Sequence, residues 1–293
     1  MKRLHVEVYG RTDVGRRRSE NQDRLLVAPI GVGRAEVRAA GDGDPATVGP
    51  VSFDVGTFGI AFLVADGMGG RAEGARASRL ALEVIRDALV SPVDSADTGA
   101  SEAFGERLRQ ALHDANRKVF DEAETSVDHS GMGTTATLAG VLGDTVHVAQ
   151  VGDSRAYLVR SGRVERLTRD QSLVQEMIDS GILDEQDAKS AGSHMLLQAL
   201  GVRSDVRPAL TSCGLRQGDL LLLCSDGLSQ VVSDAEISEI AGRAEDCRML
   251  GEALVAVAND RGGPDNVTII AARLAGEALE SSEVQDDSRA LEP

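Results

Sequence analysis

The chain has 293 residues, with 31 Lys and Arg against 47 Asp and Glu, for a formal net charge of −16. That balance excludes a broad nucleic-acid interface, which needs clustered basic charge, and it opposes docking on anionic membranes. A hydrophobic share of 42% is enough for a packed core, and with 2% aromatic residues and no Trp that core must be aliphatic. Cys213, Cys224 and Cys247 have neither metal-ligand spacing nor an even count. Such usage fits a reducing compartment rather than a disulfide framework. No apolar run is long enough to span a membrane, and the N-terminus lacks a signal-peptide core, so a soluble cytoplasmic protein is expected.

In chain order, alternation predicts a first strand over Leu4–Tyr9 and a second over Leu25–Ala28. Between Gly31 and Gly56 the sequence is rich in Gly, Pro and small residues and reads as a long hairpin loop or insertion. A buried strand follows over Ile60–Ala65. Ala77, Ala81, Val84, Ile85, Ala88 and Leu89 then recur at helical spacing through Val90. After a loop at 91–99, a second amphipathic helix spans Glu102–Glu124. Strands are predicted over Thr134–Leu142, Thr145–Val151, Ala156–Val159 and Val164–Leu167, with hairpin turns at Gly143-Asp144 and Ser161-Gly162. The stretch 170–207 is mixed, with helical patches at Ser172–Ser180 and around Asp184–Lys189. Beyond it come a strand at Leu220–Cys224, helices at Asp234–Ala241 and Cys247–Asp260, and a last strand at Val267–Leu274. The acidic, Ser-containing segment 275–293 reads as a disordered tail on a single domain covering 1–274. Strands cluster with strands and helices come in pairs, so the expected class is α+β with mostly antiparallel sheets.

Three aspartates stand at the ends of apolar runs: Asp66 in Ala65-Asp66-Gly67-Met68-Gly69-Gly70, Asp226 in Ser225-Asp226-Gly227, and Asp265 in Gly263-Pro264-Asp265-Asn266. Carboxylates brought together repel and resist desolvation, so such a group needs a cation. Hard oxygen ligands favour Mn²⁺ or Mg²⁺. Gly67 follows Asp66, and a Gly there lets a backbone carbonyl approach a metal. Asp153, in Val151-Gly152-Asp153-Ser154-Arg155, is a fourth candidate, although Gly-Asp-Ser taken alone is ordinary turn chemistry. Asp23 closes Arg18-Ser19-Glu20-Asn21-Gln22-Asp23, a register that sets the Arg18 guanidinium beside the carboxylates to bind phosphate. Arg16 and Arg17 read as solvated surface charge. His5, His113, His129, His147 and His194 are scattered and have no ligand spacing.

Together with Gly131-Met132-Gly133-Thr134-Thr135 and Leu167-Thr168-Arg169-Asp170-Gln171-Ser172, these segments occur in an order that resembles the type 2C, metal-dependent serine/threonine protein phosphatases of the bacterial type, from about residue 5 to residue 274. The resemblance implies a sandwich of two antiparallel sheets flanked by helix pairs. It implies that a hydroxide bridging two divalent metals hydrolyses phosphoserine and phosphothreonine in proteins, countering Ser/Thr kinases. Asp66 would bridge the two metals with the Gly67 carbonyl on one of them, and Asp226 and Asp265 would hold the other. Asp153 and Asp226 would serve a weaker third site. Asp23 would bond metal-bound waters, Arg18 would grip the phosphate, and Asn266 would orient its neighbours. The implied partners are phosphorylated proteins, a Ser/Thr kinase and that kinase's substrates, with no nucleic acid and no membrane. Three departures are visible. Met68 stands where many eukaryotic members carry a His, Lys189–His194 replaces a His-Pro pair in the flap, and 31–56 is longer than in the smallest members. Two other readings remain open: a phosphoprotein-binding module without turnover, and a hydrolase of small phosphate esters.

Overall fold

The computed structural model describes residues 4–31, 37–41, 46–70, 72–91, 101–126, 129, 131–184, 195–277 and 279–281. Its strands are β1 (Leu4–Asp13), β2 (Asp23–Pro29), β3 (Arg38–Ala40), β4 (Thr47–Val55), β5 (Ile60–Met68), β6 (Gly133–Thr134), β7 (Ala136–Leu142), β8 (Thr145–Val151), β9 (Arg155–Arg160), β10 (Arg163–Arg166), β11 (Ala209–Gly214), β12 (Leu220–Cys224) and β13 (Val267–Ala275). Among the described residues they form two antiparallel sheets. One runs β10-β9-β12-β13-β1-β4. The other runs β11-β8-β7-β5-β2-β3, with the short β6 paired to the end of β5. The helices are α1 (Glu73–Val90), α2 (Ser101–Ala123), α3 (Leu173–Asp179), α4 (Asp226–Ser229), α5 (Asp234–Arg243) and α6 (Cys247–Asp260).

Residue alternation along the strands builds the layers, because successive side chains point to opposite faces. On β2, Leu25 and Val27 enter the core between the sheets, with Phe62 and Val64 of β5 and Val6 and Val8 of β1. Leu26 and Ala28 point the other way, onto Ala81, Ile85, Leu108 and Leu112 of α1 and α2. On the far side Leu220 and Leu222 of β12 meet Ile237, Leu250 and Leu254 of α5 and α6. The result is the expected α-β-β-α stack. Both predicted hairpins form, with Leu142 opposite Thr145 and Arg160 opposite Arg163. At the second hairpin Ser161 and Gly162 both take positive φ, 49° and 75°, as a two-residue turn of that twist demands.

The region 31–56 corrects the loop expectation: β4 is a full strand paired along β1. Val51, Phe53 and Val55 alternate with Ser52 and Asp54, but Pro50 breaks the pattern and confines the strand to the sheet edge. β11 went unrecognised because its residues are almost all exposed. It pairs with β8 from Ala209 opposite Gln150 to Gly214 opposite Thr145, and Cys213 packs against the core between the sheets. β1 continues to Asp13, beyond the predicted end at Tyr9. The start of the expected tail is ordered, since Leu279 is buried and Gln217 N donates to Glu280 O at 2.8 Å. The patch around 184–189, the loop at 91–99 and the flap segment Lys189–His194 lie largely or wholly outside the described residues.

Candidate active site

Sheet register brings the first two carboxylates together. Asp23 opens β2 and Asp66 lies near the end of β5, and the two are direct cross-strand partners. The backbone around Asp66 is pinned from three directions. Its N–H donates to Thr135 Oγ1 at 3.0 Å, and its carbonyl accepts from Thr135 N at 2.8 Å and from Thr134 Oγ1 at 2.9 Å. Thr135 in turn hydrogen-bonds Ser154 Oγ at 2.7 Å. That contact ties the β5 end to the β8–β9 turn, which carries Asp153. Gln171 clamps the same turn: its Oε1 accepts from Gly152 N at 2.9 Å and its backbone N donates to Gly152 O at 3.0 Å.

The other sheet delivers Asp226 and Asp265. Asp226 is the first residue of α4, immediately after β12. Ser225 Oγ donates to Asp23 Oδ2 at 2.7 Å and accepts from Thr268 N at 2.9 Å, so one hydroxyl bridges the two sheets. Gly227 lets α4 seat against the Asp265 loop, since a Cβ there would stand 2.0 Å from Asn266 O. Asp265 accepts from Arg18 Nη2 at 2.6 Å through Oδ2 and from Asn266 N at 2.8 Å through Oδ1. Asn266 holds the turn that carries Arg18. Its Nδ2 donates to Val14 O and Glu20 O, both at 2.9 Å, and its Oδ1 accepts from Gln22 N at 2.9 Å.

All eight sequence-predicted site residues therefore gather in one place. Arg18, Asp66, Gly67, Asp153, Asp226 and Asp265 line a single cavity, with Asp23 buried behind Asp66 and Asn266 bracing the rim. The sequence reading did not assign Ser225, Thr135, Ser154, Gln171 or Gln230 any part in this framework. Each except Gln230 sits in one of the quoted motifs, yet a hydroxyl or amide gives no local signal that its partner is a distant backbone.

Electrostatically the cavity floor is overloaded. Burial pushes the Asp23 carboxyl up to about 6, with Asp265 adding to the rise. Burial and the Asp226 charge push Asp153 up to about 7, and burial and the Asp265 charge do the same to Asp226. Asp66 rises well above the usual carboxylate range through burial, then through Asp23, Asp226 and Asp153. Among the described residues no three acidic, His or Cys side chains are drawn tightly enough to enclose an ion unaided. Asp265 is turned to Arg18, and Asp226 to the Gln230 amide. Yet Asp23 Oδ1 and Asp226 Oδ1 are buried with no hydrogen-bond partner. Orphaned carboxylate oxygens among mutually repelling, all-oxygen donors fit a hard divalent cation, which would satisfy them and remove the repulsion together.

A sequence profile for protein phosphatase 2C matches residues 52–261. The serine/threonine phosphatase stp of Listeria innocua is 34% identical over 209 residues, covering 71% of this chain and 82% of that protein. A crystal structure of the serine/threonine phosphatase PstP/Ppp of Mycobacterium tuberculosis superposes with a TM-score of 0.74 at 30% identity, covering 94% of this chain and 99% of that one. A PstP catalytic domain in complex with two manganese ions gives 0.73 at 29% identity, covering 93% and 99%. The matched span holds Asp66, Asp153 and Asp226, and the shared fold extends the likeness to the flanking strands that carry Asp23 and Asp265. On sequence and fold together, the chain belongs to the protein phosphatase 2C family.

Proposed function

We propose that this chain is a serine/threonine protein phosphatase that hydrolyses phosphomonoesters on proteins with two divalent cations, Mn²⁺ or Mg²⁺. The observation that carries the reading is the convergence of Asp23, Asp66, Asp153, Asp226 and Asp265 from five separate segments beneath the Arg18 guanidinium. Asp66 and the Gly67 carbonyl would hold one cation and share Asp66 with a second held by Asp226 and Asp265, while Asp153 with Asp226 would serve a weaker third position. When bound, such cations acidify water and neutralise charge on a phosphoryl group.

The protein's own groups supply the rest. Arg18 presents a planar fork to the phosphate oxygens, and Asp265 orients that fork by accepting one of its N–H groups. Ser225 holds Asp23 in place by donating to its Oδ2, so the carboxylate keeps a fixed direction toward the floor. Pre-set dipoles and charges of this kind account for most of the rate in phosphoryl transfer, where there is little covalent work for the enzyme. Met68, exposed at the mouth, has no proton to give a leaving group, so no side chain at that position assists departure. The three free thiols, two of them buried, suit a reducing, cytoplasmic setting. A Ser/Thr kinase and its phosphorylated targets are the corresponding partners.

The test is phosphate release from a phosphothreonine peptide with Mn²⁺, with and without chelator. Asp66→Asn and Asp226→Asn should each lower the rate by at least about a hundredfold while keeping the native circular dichroism. Full activity in either variant, or turnover indifferent to chelator, defeats the assignment. Faster turnover of a sugar phosphate than of the peptide would shift the reading to small esters.

A further inference from the structure

The mouth of the cavity is electrically uneven. Arg18 lines it, and Arg16 and Arg17 are exposed on the same turn. That turn is rigidly docked on the Asp265 loop. Arg16 N donates to Gly263 O at 2.9 Å, Gly15 N donates to Asp13 Oδ1 at 3.0 Å, and Asn266 Nδ2 ties down Val14 O at 2.9 Å. The side chains follow the same loop. A Cβ added to Gly263 would lie 2.9 Å from Arg16 Cγ, and one added to Gly262 would lie 4.0 Å from Arg17 Nη2. Among the described residues neither Arg16 nor Arg17 is paired with a carboxylate. By contrast Arg11, Arg76, Arg155, Arg160 and Arg261 each hold one. In a chain with 47 acidic against 31 basic residues, this docked turn carries two exposed guanidiniums with no carboxylate partner among the described residues, next to a residue that lines the cavity. The part of the mouth formed by Met68 and Met195, both exposed, carries no charge that would offset them.

Resting on the phosphatase reading above, we propose that Arg16 and Arg17 make the enzyme selective for phosphorylated segments with acidic residues beside the phosphoresidue. A net charge of −16 repels an anionic substrate as a whole. Exposed charges are screened beyond about 8 Å at physiological salt, so what the substrate meets at contact is the local sign. On the turn beside the cavity, Arg16, Arg17 and Arg18 stand against the exposed Glu20 and the Asp265 carboxylate paired with Arg18, which leaves the balance of that turn positive. Arg18 answers the phosphate itself, and Arg16 and Arg17 lie where flanking residues of an extended segment pass over the Gly262–Gly263 loop. Contacts of this exposed kind set encounter rate and discrimination more than tight binding.

The experiment compares kcat/KM for two phosphothreonine peptides of equal length, one with Asp and Glu flanks and one with Ala and Ser flanks. In the unsubstituted enzyme with Mn²⁺ the acidic peptide should be favoured by about five- to tenfold at low salt, since each exposed pair contributes a few-fold. That ratio should shrink toward unity as salt rises to about 0.5 M. The Arg16→Gln/Arg17→Gln variant should bring the low-salt ratio to within about twofold of unity. Its thermal unfolding, compared with that of the unsubstituted protein, checks that it is folded. The salt series on the unsubstituted enzyme tests the same claim without any substitution. A ratio near unity at low salt, or a preference that the double substitution leaves intact, overturns the selectivity while leaving the phosphatase reading standing. Failure to hydrolyse either peptide overturns both.

Discussion

At the scale of single residues, the site depends on atoms that are missing as much as on those present. Gly67 follows the bridging candidate Asp66, and from sequence a glycine there suggests a carbonyl free to approach a ligand. The packing adds a stronger demand: a Cβ on Gly67 would stand 2.1 Å from the Gly74 carbonyl oxygen, and one on Gly74 would stand 2.8 Å from Gly67. The start of α1 thus rests directly on the strand end, with no side chain between. Gly67→Ala must push α1 away or distort the Asp66 backbone, at a cost of about 1–3 kcal/mol or more. Urea unfolding in chelator, where metal affinity plays no part, should show that loss. An unchanged midpoint would mean the helix start is slack.

At the scale of elements, the two sheets deliver carboxylates that neither would tolerate alone. Asp23, Asp153 and Asp226 are pushed up from the ordinary 3.8 to about 6, 7 and 7, and burial with the neighbouring carboxylates raises Asp66 well above 3.8 too. A raised folded-state value means the metal-free native state binds more protons than the unfolded chain between about pH 4 and pH 7. Its stability is therefore fullest below that window and falls as pH rises through it. His147 has the opposite sign. Its value is lowered from 6.5 by burial, so it withdraws stability as pH falls. Its effect is common to metal-free and metal-loaded protein and cancels in their difference. The gain in melting temperature on adding Mn²⁺ should therefore grow from about pH 5 to about pH 8 and then level off. A gain that is flat across that range would separate the metal from these carboxylates.

Across the whole molecule, stability and site share one core. Phe62 is fully buried between the sheets, four residues before Asp66 on β5. Phe62→Ala should cost about 3–5 kcal/mol, read as a lower denaturant midpoint with an unchanged slope. A cost under about 1 kcal/mol would show that the intersheet layer repacks freely.

Much of this was legible along the chain. The helical stripe of α2, the apolar runs of β5, β12 and β13, the two tight hairpins and the aspartate at each strand end are local signals, encoded in period, propensity and turn chemistry. The edge strands β4 and β11 were not, because an edge strand is recruited by unpaired backbone groups of its neighbour and needs little pattern of its own. The framework of Ser225, Thr135 and Ser154 was hidden for a related reason, as its hydrogen bonds join residues up to 202 positions apart. The sequence by itself determined which residues could be acidic ligands on rigid strand ends, and what class of layered fold would carry them. Only the tertiary structure decided that Asp23 faces Asp66, that Ser225 bridges the sheets, and that Arg18 leans on Asp265. Those meetings follow from sheet register and intersheet packing, which depend on pairings between distant segments that no local stretch of chain specifies.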